Sequence, residues 1–191
     1  MDLIFASHNQ NKLEEIKAML PAGITLRSLN DIGFKTEIEE TGNTFKANAA
    51  LKAQAVFDAT GYACFADDSG LMVEALQGEP GVRSARYAGE PVNNTANIQK
   101  VLQGIESQPN RAAAFVTVIC LKTKEGDYFF EGRVKGQITM APIGHNGFGY
   151  DPIFRPMGDS RTFAEMSADE KNAISHRKMA LKKMIEFLAA R

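Results

Sequence analysis

The sequence predicts an α/β (or α+β) fold in which helices flank a mixed β-sheet, and three observations lead to this expectation. The chain opens with a short apolar strand, a polar loop and a helix. Its middle contains two strand-like segments around a short turn, which predicts an antiparallel ribbon. Amphipathic helical segments lie on both sides of that ribbon. With 191 residues, 44% of them hydrophobic, residues 1–191 are expected to form a single domain.

The first predicted elements are a strand over residues 3–6 and a helix that ends before Pro21. Leu13, Ile16 and Leu20 keep helical spacing along that first helix. A second helix is predicted over residues 43–60, where Gly61 terminates it. It leads into an apolar strand over residues 62–66, which two acidic residues follow directly.

The later elements begin with the clearest amphipathic helix, over residues 94–105. Strands are predicted over 113–122 and 128–134, with a further short strand over 137–140. A last helix is expected over about residues 173–190. Its predicted buried stripe consists of Ile174, Leu181, Met184, Ile185 and Leu188.

Composition and charge argue against several classes of protein. The 22 basic and 23 acidic residues give a net charge of -1, so no global positive field would hold a nucleic acid or an anionic membrane. The longest apolar run, residues 112–121, is about half the length that spans a bilayer. We therefore expect a cytoplasmic protein. Cys64 and Cys120 are expected to be reduced core residues, and the three histidines form no zinc pattern.

The first candidate site is the polar loop between the first strand and the first helix. Backbone N–H groups and the positive end of the helix dipole suit a phosphate there, with Lys12 as a countercharge. Simple capping of the helix by Ser7, Asn9 or Asn11 explains the same residues. The loop is not a P-loop, because GxxxxGK[ST] is absent.

The second candidate is the pair Asp67 and Asp68, which the sequence places at the end of an apolar strand, before Ser69 and Gly70. Ligands of open sheets gather at the carboxyl ends of strands. Together with Glu39 and Glu40, these acids could form an all-oxygen site for Mg²⁺. A solvated acidic turn is the competing interpretation.

Two further candidates lie in the last third of the chain. Residues 144–152 combine three glycines with Phe148 and Tyr150, which would let the backbone and a ring approach a flat base. Arg177 falls within the apolar stripe of the last helix, so it needs an anionic or carbonyl partner. That partner is either a ligand or a structural acid. If Lys171 and Arg177 serve one site, the helix must break before Ala173.

Taken together, these segments resemble the inosine/xanthosine triphosphate pyrophosphatase family. The resemblance spans almost the whole chain, in the stretches SHNQNK, EETGNTFKANAALKA, ADDSGLMVEALQGEPGVRSARYAG, FEGRVKGQI, GFGYDPIF and FAEMSADEKNAISHR. It implies a fold of two lobes around a central cleft, a homodimer, and hydrolysis of non-standard purine nucleoside triphosphates to monophosphate and pyrophosphate.

The resemblance also implies roles for individual residues. Glu40 and Asp68 would bind Mg²⁺, and Asp68 would also accept a proton from the attacking water, with Asp67 as a supporting acid. The expected substrate-binding residues are Ser7, His8, Asn9, Gln10, Asn11, Lys12, Ser69, Phe148, Gly149, Tyr150, Asp151, Lys171, His176 and Arg177. Of these, His8 departs from the family's usual pattern.

Two alternatives remain at this point. The related septum-formation inhibitors, pyrophosphatases that act on modified pyrimidines, share the general architecture, although the SHR segment and the GFGYDP loop argue against them. A nucleotide-sensing or nucleic-acid-binding module would explain the first loop but gives no role to the acids. The lysines at 178, 182 and 183 fit the solvated face of a helix better than a basic stripe.

Overall fold

The computed structural model describes residues 2–191 and contains one mixed six-stranded sheet. The strands are β1 (Asp2–Phe5), β2 (Thr25–Ser28), β3 (Cys64–Val73), β4 (Ala112–Thr123), β5 (Gly126–Ile138) and β6 (Phe154–Pro156). Their order in the sheet is β2-β1-β3-β4-β5-β6. β1 is parallel to both β2 and β3, whereas β5 and β6 are antiparallel. The predicted α/β class with a mixed sheet is therefore confirmed.

Five α-helices accompany the sheet in the described part of the chain. They are α1 (Gln10–Met19), α2 (Phe45–Thr60), α3 (Asn94–Gly104), α4 (Ala168–Ile174) and α5 (His176–Ala189). The first three begin at residues whose side-chain oxygens accept a backbone N–H of the first turn: Asn9, Thr44 and Asn93. α2 ends at Gly61, as predicted, in the left-handed conformation that glycine adopts readily.

The chain divides into two compact units. The first comprises Met1–Asp68, Thr117–Gly132 and Arg177–Arg191, and the second comprises Ser69–Val116 and Arg133–His176. In the first unit, one apolar cluster includes Phe5, Ile16, Phe65, Ile119 and Leu181, and a second includes Ala49, Ala53, Cys64, Ala66 and Cys120. The core of the second unit is built around Leu71, Val101, Phe115, Phe154 and Phe163.

Several predicted boundaries need correction. β3 begins later than expected and continues to Val73, so both acids lie inside a strand and no turn occurs at Gly70. The apolar run stops at Ala66, but its strand does not, because the buried acids have partners. The short strand expected over 137–140 is the end of β5, which continues to Ile138. β2 was not among the predicted strands.

The last predicted helix is two helices. α4 ends at Ile174, and the extended backbone of Ser175 interrupts the helical path, so the break lies two residues beyond the position expected from the sequence. α4 begins with a capping box, in which the side chains of Ser167 and Glu170 each accept a backbone N–H of the other residue. The interruption changes the phase of the apolar stripe, so Ile174 is 39% exposed while Leu181 and Met184 are buried as predicted.

Among residues 2–191, no helix has both the length and the apolar character needed to cross a bilayer.

The two cysteines are free and buried, as predicted. Cys64 donates its thiol hydrogen to the carbonyl of Ala53 at 3.2 Å. Burial raises the pKa of each thiol to about 12. The thiolate is the nucleophile in alkylation, so these side chains should be chemically inert in the folded protein.

We therefore predict that iodoacetamide at about pH 8 labels neither Cys64 nor Cys120 in the native protein, because both burial and the raised pKa suppress the thiolate. Mass spectrometry after a timed pulse measures the label. The same pulse in concentrated urea should label both residues. Native labelling at the rate of a free thiol would contradict the buried placement.

Candidate active site

The strand β3 presents its two neighbouring acids to opposite faces of the sheet. Successive side chains of a strand alternate between faces. Phe65 packs in the cluster that includes α1 and α5, while Ala66 packs in the cluster that includes α2. Asp67 accordingly meets side chains from α1 and α5, and Asp68 meets side chains from α2. One strand therefore gives adjacent carboxylates two different environments.

Asp67 is fully buried and is shared by two cations. The Nζ of Lys12 lies 3.1 Å from Asp67 Oδ2, and the Nε of Arg177 lies 3.4 Å from the same oxygen. Arg177 also forms an ion pair with Glu15 through Nη1. The sequence required a carbonyl or anionic partner for the buried Arg177, and two carboxylates of the protein fulfil that requirement.

The electrostatics of this cluster follow from its burial. Burial alone would lower the pKa of Arg177, but the charges of Asp67 and Glu15 outweigh that effect and hold its pKa above the ordinary value. For Lys12 the balance is reversed, because burial lowers the pKa of the ammonium group despite the attraction of Asp67. Arg177 is thus a permanent cation, while Lys12 carries a charge that a nearby anion would further stabilise.

Asp68 lies in a second polar cluster with residues of α2. Its Oδ2 accepts a hydrogen bond of 3.0 Å from Nδ2 of Asn48. Lys52, one helical turn later, forms an ion pair of 2.6 Å with Glu40. Burial raises the pKa of Asp68, Lys52 and Lys12 oppose that increase, and the negative charge of Glu40 adds to it.

The seven charged side chains of the first unit that form these clusters consist of three cations and four carboxylates. They are Lys12, Lys52 and Arg177, with Glu15, Glu40, Asp67 and Asp68. When all are ionised, the group keeps one excess negative charge. A further cation would therefore be attracted to it.

The carboxylates of this cluster fit a magnesium ion that is held partly by the protein and partly by water and phosphate. Within residues 2–191, no group of three or more His, Cys, Asp or Glu side chains has the arrangement of a metal site. Mg²⁺, however, is commonly held by one or two carboxylates together with water and substrate phosphates. Glu40 and Asp68 supply two such carboxylates. Lys52 contacts Oε1 of Glu40, and a carboxylate has a second oxygen with which to bind a cation.

The predicted phosphate loop lies between β1 and α1. Asn9 caps α1 by accepting the backbone N–H of Lys12 at 3.1 Å, so the capping interpretation is confirmed for this residue. His8 contacts the carbonyl of Thr36 through Nε2 at 3.2 Å and stacks on Phe34. Gln10 donates to Glu14 within the helix. The loop residues from His8 to Asn11 are exposed, and Ser7 and Lys12 are partly buried.

The second unit contains the glycine-rich loop and Lys171. Asp151 Oδ2 accepts hydrogen bonds from the backbone N–H of Phe148 at 3.0 Å and from Nζ of Lys171 at 2.7 Å. The Lys171 ammonium also lies 4.7 Å from the centre of the Phe148 ring. A Cβ at Gly147 would lie 2.1 Å from that Asp151 oxygen, so only glycine permits this turn. The predicted residues are thus brought together around Asp151.

The other predicted residues of the second unit have contacts of their own, apart from the cluster around Asp151. The hydroxyl of Tyr150 donates to the carbonyl of Ser84 at 2.6 Å, which anchors the loop in the core. His176 is buried and its ring stacks on Phe115 with centroids 4.8 Å apart. Ser69 directly follows Asp68 in β3. Gly149, which adopts a positive φ, completes the loop.

Sequence reasoning assigned no roles to Asn48, Lys52 and Glu15. Asn48 and Lys52 are spaced i, i+4 on α2, and both are buried beside Ala49, Ala53 and Val56. Two polar residues at that spacing on an otherwise apolar face were a usable signal. Glu15 carries no such signal, because it is one of two neighbouring glutamates on α1 and only the path of α5 brings Arg177 to it.

Comparison with known proteins identifies the class to which this fold and these residues belong. The sequence profile of the Ham1 family matches residues 3–187. A Ham1 protein of Staphylococcus aureus superposes with a TM-score of 0.91 at 40% identity, covering 100% of this chain and 99% of that one. A HAM1 protein from Coxiella burnetii gives a TM-score of 0.92, also at 40% identity, and covers 100% of both chains.

The chain belongs to the Ham1 family. A relative in Flavobacterium johnsoniae is 50% identical over 190 residues, covering 100% of this chain and 99% of the relative. A relative in Bacillus subtilis is 48% identical over 194 residues and covers 99% and 98%. Both relatives are named dITP/XTP pyrophosphatase. The family resemblance inferred from the sequence motifs is confirmed.

Removing the shared carboxylate tests the ionic cluster. We predict that Asp67→Ala lowers the free energy of unfolding by about 3–5 kcal/mol, because the buried Arg177 and the partly buried Lys12 lose their common partner. Urea unfolding followed by circular dichroism measures this change. Glu186→Ala, which removes an exposed i, i+4 partner of Lys182, serves as the control and should leave the unfolding midpoint unchanged. Equal midpoints for both variants would contradict the buried role of Asp67.

Proposed function

We propose that this protein hydrolyses non-standard purine nucleoside triphosphates, namely ITP, dITP, XTP and dXTP, to the nucleoside monophosphate and pyrophosphate. The observation that carries the proposal is the cluster of charged residues around Asp67 and Asp68, in a chain whose Ham1 relatives are named dITP/XTP pyrophosphatases. Such an activity would remove deaminated purine triphosphates before a polymerase uses them. Residues 1–191 would act as one catalytic domain, since the relatives match it over nearly their full length.

Glu40 and Asp68 would hold the metal. Their oxygen ligands, their electrostatic coupling and the excess negative charge of the cluster support Mg²⁺ as the cofactor. When bound, Mg²⁺ would neutralise charge that develops on the phosphate oxygens. Lys52 would keep Glu40 oriented through one carboxylate oxygen, leaving the other oxygen to the metal.

Asp68 would also orient and deprotonate the attacking water. A general base works best when its pKa is close to the working pH, and burial moves the pKa of Asp68 upward, in that direction. The neighbouring Asp67 is shared by Lys12 and Arg177, so it would remain a structural anion. The two environments thus support a division of labour between adjacent acids.

The triphosphate would be bound by the loop from Ser7 to Lys12. The N-terminus of α1 has the partial positive charge and N–H groups that favour phosphate. Lys12 has three donors, and its lowered pKa would rise as a phosphate approached. Attack of water would occur at the α-phosphorus, and pyrophosphate would leave.

The base would be recognised by Ser69, Phe148, Gly149, Tyr150, Asp151, Lys171, His176 and Arg177. Inosine and xanthosine present a 6-oxo acceptor, whereas adenine presents a 6-amino donor at the same place. Donors from His176 and Arg177 would therefore favour the 6-oxo bases, since a buried donor that faces another donor loses its partner. The 2-amino group of guanine would have to be rejected near the loop from Phe148 to Asp151.

We also propose that the protein works as a homodimer in the cytoplasm, where nucleoside triphosphates are used by polymerases. Sedimentation of the purified protein gives its assembly state.

A substrate panel tests the proposed reaction. We predict that kcat/KM for ITP, dITP and XTP exceeds that for ATP by up to about 10⁴- to 10⁵-fold, because mismatched donors in a polar site discriminate strongly. GTP and modified pyrimidine triphosphates belong in the same panel, with products separated by chromatography. Equal values for ATP and ITP would contradict the model of base recognition. A preference for the pyrimidines would instead favour the septum-formation inhibitor class.

The carboxylate pair has its own test. We predict that Asp68→Asn lowers kcat by about 10²- to 10⁴-fold even at saturating Mg²⁺, since the amide keeps the shape but neither accepts the proton nor binds the metal well. Glu40→Gln should raise the Mg²⁺ concentration needed for the half-maximal rate. Asp58→Asn, at an exposed acid of α2, is the matched control and should keep normal turnover. Near-normal turnover in Asp68→Asn would falsify the assignment.

A further inference from the structure

Asn48 is a buried amide that has no part in the reaction proposed above. It lies in the first turn of α2 and is 1% exposed, with alanines on both sides in the sequence. Burying an amide is unfavourable unless its donors and acceptor are satisfied. Asn48 can therefore be buried only because other groups satisfy the hydrogen bonds of its amide.

Asn48 connects two segments that carry the proposed metal ligands. Its Oδ1 accepts the backbone N–H of Gly42 at 2.7 Å, and its Nδ2 donates to Oδ2 of Asp68 at 3.0 Å. A backbone N–H only donates and a carboxylate only accepts, so these partners fix the orientation of the amide. Gly42 follows Glu40 by two residues in a segment without regular secondary structure.

The close approach at Gly42 is specific. A Cβ at this position would lie 2.7 Å from Asn48 Oδ1 and 2.7 Å from the Cβ of Ala47. Only a residue without a side chain lets the segment come this close to α2. Four residues later on the same helix, Lys52 contacts Glu40 itself. α2 thus holds the Glu40 segment at two points and contacts Asp68 from one of them.

We propose that Asn48 is a positioning residue that sets the distance and orientation between Asp68 and the segment bearing Glu40, so that both carboxylates meet one cation. The inference deepens the proposed function and rests on it. Asn48 touches neither metal nor substrate in this account. It acts through the carboxylate that does.

The test compares Asn48→Leu with a matched buried asparagine. Asn97, on α3, is 2% exposed, accepts the N–H of Ala88 at 2.7 Å and donates to the carbonyl of Ala85 at 2.9 Å. Asn97→Leu therefore removes the same kinds of bond without contact to an acidic ligand. Both leucine variants should lose similar stability against urea. Only Asn48→Leu should also lower kcat for dITP and the affinity for Mg²⁺, each by about 10- to 100-fold.

Two further variants separate the contact of Asn48 with Gly42 from its contact with Asp68. Asn48→Asp keeps an acceptor for Gly42 but sets a carboxylate oxygen against Asp68, so kcat should fall while the segment stays attached. Gly42→Ala would push the amide of Asn48 aside without altering it. Its loss of kcat should not add to that of Asn48→Leu, because both changes break the same connection. Gly42→Ala also keeps the test valid if Asn48→Leu does not fold.

Calorimetric titration with Mg²⁺ alone distinguishes failure of this inference from failure of the proposed function. If the wild type hydrolyses none of the triphosphates, the proposed function is wrong, and the Mg²⁺ titration alone decides the role of Asn48. Equal Mg²⁺ affinities of the wild type and Asn48→Leu would overturn the inference. So would a stability loss equal to that of Asn97→Leu with unchanged kcat. A selective loss of metal affinity supports it.

Discussion

The fully buried carboxylate of Asp67, shared by Lys12 and Arg177, is the interaction on which the first unit depends. Removing charges from water is expensive, and the buried carboxylate of Asp67 offsets part of that cost for both Lys12 and Arg177, the latter together with Glu15. The interaction joins α1, β3 and α5, elements that are far apart in the sequence. An apolar core would achieve the same packing without that desolvation. The proposed function offers a reason for the charges, because Lys12 and Arg177 are among the residues that would bind the nucleoside triphosphate.

The alternation of side chains along β3 places the two neighbouring acids in different environments. Asp67 faces α1 and α5, where two cations contact it, while Asp68 faces α2, where the amide of Asn48 contacts it and the charges of Lys52 and Glu40 act on its pKa. Two adjacent acids of identical chemistry therefore acquire different properties. A strand achieves this division within one dipeptide, whereas a helix would place neighbouring residues only about 100° apart.

Much of the fold followed from local patterns in the sequence. Gly61 terminates α2 and the apolar periodicity of α3 marks its extent through interactions within a few residues, so those elements were predicted closely. The motifs around Asp68 and Phe148 led to the correct family. The continuation of β3 through its acids was missed, because the polar residues that stop an apolar pattern are stabilised here by partners distant in sequence. The role of Glu15 was missed for the same reason, because its partner Arg177 lies 162 positions away in the sequence.

The proposed reaction depends most on the binding of one cation by Glu40 and Asp68 together. A crystal structure of the protein with Mg²⁺ and an α,β-imido analogue of dITP, which resists cleavage at the reacting bond, tests it most directly. We expect a metal ion coordinated by carboxylate oxygens of both residues and by phosphate oxygens, with Asn48 still hydrogen-bonded to Asp68. A metal ion bound to the phosphates alone, or to carboxylates other than these two, would contradict it.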